Sequence, residues 1–371
     1  MRARDLGIAP GLMPPGPLNA ITDVAGLRVG HVTLVRGDGP LVVGQGPVRT
    51  GVTVILPRDG EISSRPLFAG SHTLNGNGEM TGLEWVRESG MLTTPIGLTN
   101  THSVGVVRDA LVAASVAAGP PGEPRGGPRW SLPVVAETWD GLLNDVDGQH
   151  VRAEHVMSAL AAASGGPVPE GSVGGGTGMK AFGFKAGIGT ASRVVDASAE
   201  SYRVGVLVQA NHGRRERLLV DGVPVGQVLP LEVIPGPDPA VAEGGSIIAV
   251  VATDAPLLPH QCRRLAQRAA LGVARGGGGG EHSSGDIFLA FATGNRELPP
   301  AEAAPGPAAV RMLPDEQISQ LFWATIEATE EAVLNALVAA ETMTGRDGIT
   351  VHSLPHDRLL QVMDRYGRGP A

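Results

Sequence analysis

The sequence predicts an α+β protein built around one large buried core, and three observations carry that expectation. Short apolar and β-branched runs bounded by Gly, Pro and Asp alternate with only two or three strong helical patterns. Glycine (54) and proline (30) together approach a quarter of the 371 residues with no G-X-Y period, which points to many short elements joined by tight turns. Hydrophobic residues reach 42% against 18% charged, enough apolar material for a core and too little charge for a disordered chain.

Strands are expected at Leu27–Val35 and Gly51–Leu56, a short helix at Met80–Glu88 and a longer one at Val104–Ala118, whose polar side carries Arg108 and Asp109. Residues 119–128 (GPPGEPRGGP) read as a surface loop. A short strand, Leu132–Glu137, ends in the polar cluster Glu137–Asp140, and an alanine-rich helix follows at Ala153–Ala163. Two strands, Gly183–Val195 and Tyr202–Ala210, precede an aperiodic linker at 233–245 (VIPGPDPAVAEGG). Directly after it, Ile247–Ala252 is a continuous apolar run of the kind buried on both faces. The clearest helices are Pro259–Ala270 and Pro314–Thr342. In the second, an apolar stripe through Ile318, Leu321, Phe322, Val333, Leu334, Leu337 and Val338 lies opposite Glu327, Glu330 and Glu331. No internal repeat appears, and the linker is too short to require two domains, so a single domain over 1–371 is expected.

Composition excludes several partners. A net charge of −8 and 3% aromatic residues disfavour nucleic acid, and the 29 basic residues, of which only Lys180 and Lys185 are lysine, form no run or tail. One cysteine, Cys262, rules out an internal disulfide and a cysteine-based zinc site. The first twenty residues lack the apolar segment of a signal peptide, and no stretch is long and apolar enough to span a membrane. A soluble, cytoplasmic protein is therefore expected.

Familiar motifs fail. Ser246 sits in G-G-S-I-I, not G-x-S-x-G, and Gly174–Lys180 lacks the G-K-[ST] of a phosphate loop. His150 and His155 would lie about 140° apart around a helix, too far to share a metal, and read as two exposed histidines at a helix start. Gly276–Gly280 reads as a mobile loop.

What remains is the junction Glu243-Gly244-Gly245-Ser246-Ile247-Ile248, where a linker meets a deeply buried strand with a serine at the joint. A glycine before the serine gives its hydroxyl an unobstructed approach to the Gly245 carbonyl, as an N→O acyl shift requires. Cleavage there would free the Ser246 α-amine, with a reference pKa of about 7.7–8.0, to act as the serine's own base. By itself, Gly-Gly-Ser before a strand is also an ordinary turn.

The stretches GGSIIAVVATDAPLLPHQCRRLAQRAALG, SSGDIFLAFATGN and EEAVLNALVAAETMTGRDG resemble the L-aminopeptidase/D-esterase (β-peptidyl aminopeptidase) family. So do NAITDVAGLRVGHVT, GLTNTHSVG, VVAETWDGLLND, VGGGTGMKAFGFKAGIGTASR and VGVLVQANHG, and the likeness covers essentially the whole chain. It implies a four-layer αββα sandwich, N-terminal-nucleophile-hydrolase-like, formed by self-cleavage of one precursor between Gly245 and Ser246 into 1–245 and 246–371. It also implies that Ser246 is the nucleophile and that Ser284 and Asp286 assist it, where some relatives have Glu in place of Asp286. A strand-start cap is the plainer reading of those two residues. Asn211 matches the family's oxyanion-holding asparagine, a suitable task for a side-chain amide, although a turn residue before Gly213 would also explain it. Glu137 matches the carboxylate that receives the substrate's amine, and Trp139 replaces a tyrosine of certain members as either a pocket or a packing residue.

The activity so implied is that of a serine aminopeptidase releasing small N-terminal residues from peptides, amides or esters through an acyl-enzyme. β-Amino acids and D-amino acid esters are within that range. No cofactor or metal is implied, the substrate carries a free amine, and a homotetramer is expected. Two alternatives stand beside this one: an acyltransferase of the ornithine acetyltransferase type, and a non-catalytic oligomeric binding protein on the same fold.

Overall fold

The computed structural model of the chain describes residues 1–118, 130–197, 200–237, 245–298 and 306–369. The loop expected at 119–128, and residues 238–244 of the expected linker, lie outside them. In chain order the strands are β1 (Arg28–Arg36), β2 (Val48–Leu56), β3 (Leu67–Gly76), β4 (Met91–Leu92), β5 (Ile96–Asn100), β6 (Val134–Thr138), β7 (Lys180–Ala181), β8 (Phe184–Lys185), β9 (Ile188–Ala197), β10 (Glu200–Asn211), β11 (Gly245–Thr253), β12 (Ser284–Ala292), β13 (Met343–Thr344) and β14 (Thr350–Val351). The α-helices are α1 (Leu83–Ser89), α2 (Val104–Ala117), α3 (Ala153–Ala162), α4 (Val225–Val228), α5 (Pro259–Arg275), α6 (Ile318–Val338) and α7 (His356–Arg365).

Two sheets face each other. One runs β1-β2-β5-β6 and the other β4-β3-β12-β11-β10-β9. Strand alternation separates the core into layers. In β11, Ile247, Ala249 and Val251 turn to the helices α5 and α6, where they meet Leu265, Ala269, Ala328 and Ala332. Ile248, Val250 and Ala252 turn to the first sheet and meet Ile55, Leu98, Val134 and Ala136. On the far side of that sheet, Val52, Val54 and Val135 pack under Val107, Leu111, Val156 and Ala159 of α2 and α3. The order helices, sheet, sheet, helices is the expected αββα sandwich, and its middle explains why β11 is apolar on both faces.

β11 and β12 are parallel neighbours, so their connection must cross over, and α5 makes that crossover. Pro259 opens α5 with its φ already set for a helix. At the other end the glycine run is closely packed. A Cβ on Gly277, at φ +98°, would stand 1.9 Å from the Arg217 carbonyl oxygen, and the Gly278 amide bonds the Val273 carbonyl at 3.0 Å.

From Ala324 to Val338 α6 has no exposed side. Glu327, Glu330 and Glu331 are buried and face cations brought from elsewhere in the chain. Arg193 reaches Glu327 at 3.1 Å and Glu331 at 2.8 Å, Arg4 reaches Glu331 at 2.8 Å, and Arg275 reaches Glu330 at 2.5 Å. His150 departs from its expectation. It precedes α3 instead of starting it, and it is buried with Nε2 2.8 Å from Asp145. No helix among the described residues is long and apolar enough to cross a membrane.

Candidate active site

Four strand ends meet at one edge of the sandwich. β11 begins at Gly245-Ser246 and β12 at Ser284, while β10 ends at Asn211 and β6 at Thr138, one residue before Trp139. Register fixes their neighbours: Ser246 lies opposite Asn211 on one side and beside Gly285 on the other, Gly245 beside Ser284, and Ile247 beside Asp286.

Parity places Ser246 with Ile248 on the face toward the first sheet, and Asn211 shares that face. Asn211 is held at both ends of its amide. Its Oδ1 accepts from the Lys180 backbone N–H at 3.0 Å, and its Nδ2 donates to the Trp139 carbonyl at 3.0 Å. One N–H of that amide is left to point at a ligand. Trp139 thus enters the site through its backbone; its ring lies against Gly141 and the small apolar cluster of Leu142, Leu143 and Val351.

Ser284 and Asp286 leave β12 on the helix side, the same face as Ile247. The Ser284 hydroxyl donates to Asp286 Oδ1 at 2.6 Å. Burial pushes the Asp286 carboxyl above its ordinary value, opposed by the Ser284 hydroxyl and the Ile247 backbone N–H, while Glu281 adds to the rise. The pair therefore flanks the two peptide units around Ser246, while the Ser246 side chain lies on the other face of the strand. That position suits a group that handles the Ser246 backbone nitrogen.

Glu137, the last residue but one of β6, is almost fully buried. Its Oε1 accepts from the Glu79 backbone N–H at 3.0 Å, and its Oε2 accepts from the Thr101 hydroxyl. Burial raises its carboxyl above the ordinary glutamate value, a shift that these two hydrogen bonds oppose. Among the described residues no lysine or arginine forms an ion pair with it. Gly78 links it to the nucleophile strand: a Cβ on Gly78 would lie 3.2 Å from Glu137 Oε1 and 3.0 Å from Gly285 Cα. Gly285 itself has Asn77 over it, 2.4 Å from any added Cβ, so only glycine fits beside Ser246 there.

On the helix side a cleft of about 530 Å³ opens past Gly245 and Ser284, walled by Lys180, His212 and Arg215. Sequence reasoning gave none of these three a role. For Lys180 and His212 the signal is burial without partners, which residue order does not reveal. Behind the Trp139 turn, Asp140 is fully buried, accepts from Asn100 at 3.1 Å and Asn144 at 3.0 Å, and is pushed by burial to about 6. No group of His, Cys, Asp and Glu among the described residues could hold a metal ion.

The chain is similar to known proteins along almost its whole length. A beta-peptidyl aminopeptidase from Sphingosinicella microcystinivorans is 50% identical to the chain, over 99% of it and 93% of that protein. Another from Sphingosinicella xenopeptidilytica is 48% identical over 98% and 90%. Among solved structures, a Burkholderia sp. beta-aminopeptidase superposes with a TM-score of 0.91 at 56% identity, covering 99% of each chain. The L-aminopeptidase D-Ala-esterase/amidase of Ochrobactrum anthropi, described as a prototype for the serine aminopeptidases and a new variant among the Ntn hydrolase fold, gives 0.91 at 44% identity over 99% of each. The model of peptidase family S58 matches residues 19–351, and the chain belongs to that family.

Proposed function

We propose that the chain is a self-processing serine aminopeptidase that cleaves itself between Gly245 and Ser246. It then releases small N-terminal residues from peptides, amides or esters through an acyl-enzyme on Ser246. The observation that carries this reading is the register across three strands: Ser246 at a strand start, Asn211 opposite it, and Ser284 and Asp286 beside its two peptide bonds.

For processing, the Ser246 hydroxyl attacks the Gly245 carbonyl, the C–N bond breaks, and the Ser246 nitrogen takes up a proton as it leaves as an amine. Water then hydrolyses the ester, leaving a Gly245 carboxylate. In turnover the α-amine takes the hydroxyl proton, and Ser284 with Asp286 orients that amine by accepting and donating hydrogen bonds. Asn211 donates its free N–H to the oxyanion, and Glu137 receives the substrate's ammonium, which needs an anion in a buried place. Trp139 acts through its carbonyl, by fixing Asn211. The related proteins named as aminopeptidases favour this reading over acyl transfer or a non-catalytic role. We place the enzyme in the cytoplasm as a homotetramer. The test is hydrolysis of an aminoacyl p-nitroanilide by the purified protein, set beside the N-acetylated compound, which should not be turned over.

A further inference from the structure

Two buried polar groups on the helix-side cleft lack partners. Lys180 is 8% exposed, and its Nζ makes no hydrogen bond or ion pair to any described residue. His212 is 4% exposed, and neither ring nitrogen finds a partner among the described residues. The two are close enough for the Lys180 charge to depress His212, which burial already holds at about 3 and therefore neutral. Burial also lowers Lys180, to about 8, so it carries its charge at neutral pH. Their neighbour Arg215 is committed elsewhere: its guanidinium donates to the carbonyls of Phe182, Gly183, Leu229 and Ile234 and lies over the Phe184 ring. Two carboxylates, Glu216 and Glu281, line the same cleft, yet neither pairs with Lys180.

The Lys180 ammonium, open to the cleft without a counter-ion, and the unbonded N–H of the neutral His212 imidazole both lack an acceptor. A carboxylate satisfies both. The position then says whose carboxylate. Glu137 stands on the first-sheet side of the Ser246 strand end, and the Lys180 cleft opens on its helix side, next to Gly245 and Ser284. A substrate whose amine sits at Glu137 and whose carbonyl meets Ser246 extends its departing part toward that cleft. We propose that Lys180 and His212 form a recognition site for the C-terminal carboxylate of the departing residue, making dipeptides the favoured peptide substrates. This rests on the aminopeptidase reading above.

The test uses the processed full-length protein and three compounds sharing one N-terminal residue, that of the best anilide: the p-nitroanilide, a dipeptide and that dipeptide's C-terminal amide. Anilide turnover reports the underlying aminopeptidase reading on its own, because the anilide has no carboxylate. In wild type the dipeptide should exceed its amide in kcat/KM by about tenfold or more, mostly through KM, as a charge-assisted contact gives. Lys180→Met should bring that ratio close to one, and Lys180→Arg should keep most of it. If wild type cleaves the amide as well as the dipeptide, or cleaves the anilide and neither peptide, the carboxylate site is overturned, whether or not Lys180→Met folds. A ratio unchanged in a folded Lys180→Met protein overturns the role of Lys180 in the same way.

Discussion

Ser246 and Asn211 sit directly opposite one another in the antiparallel pair of β10 and β11, so their side chains leave the sheet on the same face. Asn211 is anchored by the Lys180 N–H and the Trp139 carbonyl, which leaves a single N–H free. A fixed donor aimed beside a nucleophile stabilises an oxyanion without reorganising during the reaction.

Asn211→Ala should therefore lower kcat by about a hundred- to a thousandfold with little change in KM. It should also reduce stability by about 1–3 kcal/mol, because the buried Trp139 carbonyl and Lys180 N–H lose their partner. Steady-state kinetics and a thermal melt of one preparation separate the two effects. Loss of stability with kcat unchanged would make Asn211 a purely structural residue.

Glu137→Gln should raise KM for free-amine substrates more than it lowers kcat, because the contact exists in both ground and transition states. About ten- to a hundredfold in kcat/KM is expected from one charge-assisted hydrogen bond. In wild type the carboxylate is present only above its raised pKa, so KM should climb as pH falls through that value. The climb should begin at a higher pH than an ordinary glutamate would give and vanish in Glu137→Gln. An unchanged ratio of free to acetylated amine in the variant would remove Glu137 from the site.

Ser284→Ala and Asp286→Asn should each lower kcat by about a hundred- to ten-thousandfold, the range for a positioned proton-transfer group. Since burial raises Asp286, the wild-type kcat should fall on the acid side above the ordinary aspartate range, and Asp286→Asn should lose that limb. A pH–rate profile identical in shape for wild type and Asp286→Asn would assign the limb to another group.

Glu331 accepts from Arg4, Arg193 and Asn19 at once while fully buried. Burial alone would raise its pKa, but the Arg4 hydrogen bond and the charges of Arg193 and Arg4 outweigh it and hold the carboxyl below 4.5. A depressed carboxyl contributes stability that is present above its unfolded pKa and is lost as pH falls through the folded one. Glu331→Gln should cost about 3–5 kcal/mol at neutral pH, by leaving buried guanidinium charge uncompensated. Its melting temperature should also depend less on pH below about 4.5 than that of wild type. Parallel melts from pH 3 to 7 check both statements.

The legible parts of the sequence were those whose signal is local. The run from Ile247 to Ala252 is apolar on both faces because both faces of β11 are covered, and the serine at its head was visible for that reason. β3 was not foreseen: Leu67–Gly76 is buried over its first half and trails into His72, Thr73 and Asn75, so no single period runs through it. β5 is five residues placed between Pro95 and a short helical turn, too brief for alternation to register. Periodicity correctly grouped Glu327, Glu330 and Glu331 on one face of α6, but it could not see Arg4, Arg193 and Arg275 converging there from distant segments. Lys180 and His212 escaped notice for the same reason, since an unpartnered buried group is a property of the fold and not of its own neighbours in sequence.

The most direct measurement is the intact mass of the purified protein with N-terminal sequencing, for wild type, Ser246→Ala and Ser246→Cys. Wild type should resolve into residues 1–245 and 246–371, roughly 25 and 13 kDa when the 38.0 kDa chain is divided by length, with the smaller beginning Ser-Ile-Ile-Ala. Ser246→Ala should remain one folded, inactive chain, and Ser246→Cys should still cleave, a thiolate being the better nucleophile. A wild-type protein that stays at full length while hydrolysing an aminoacyl anilide would contradict the N-terminal serine mechanism outright.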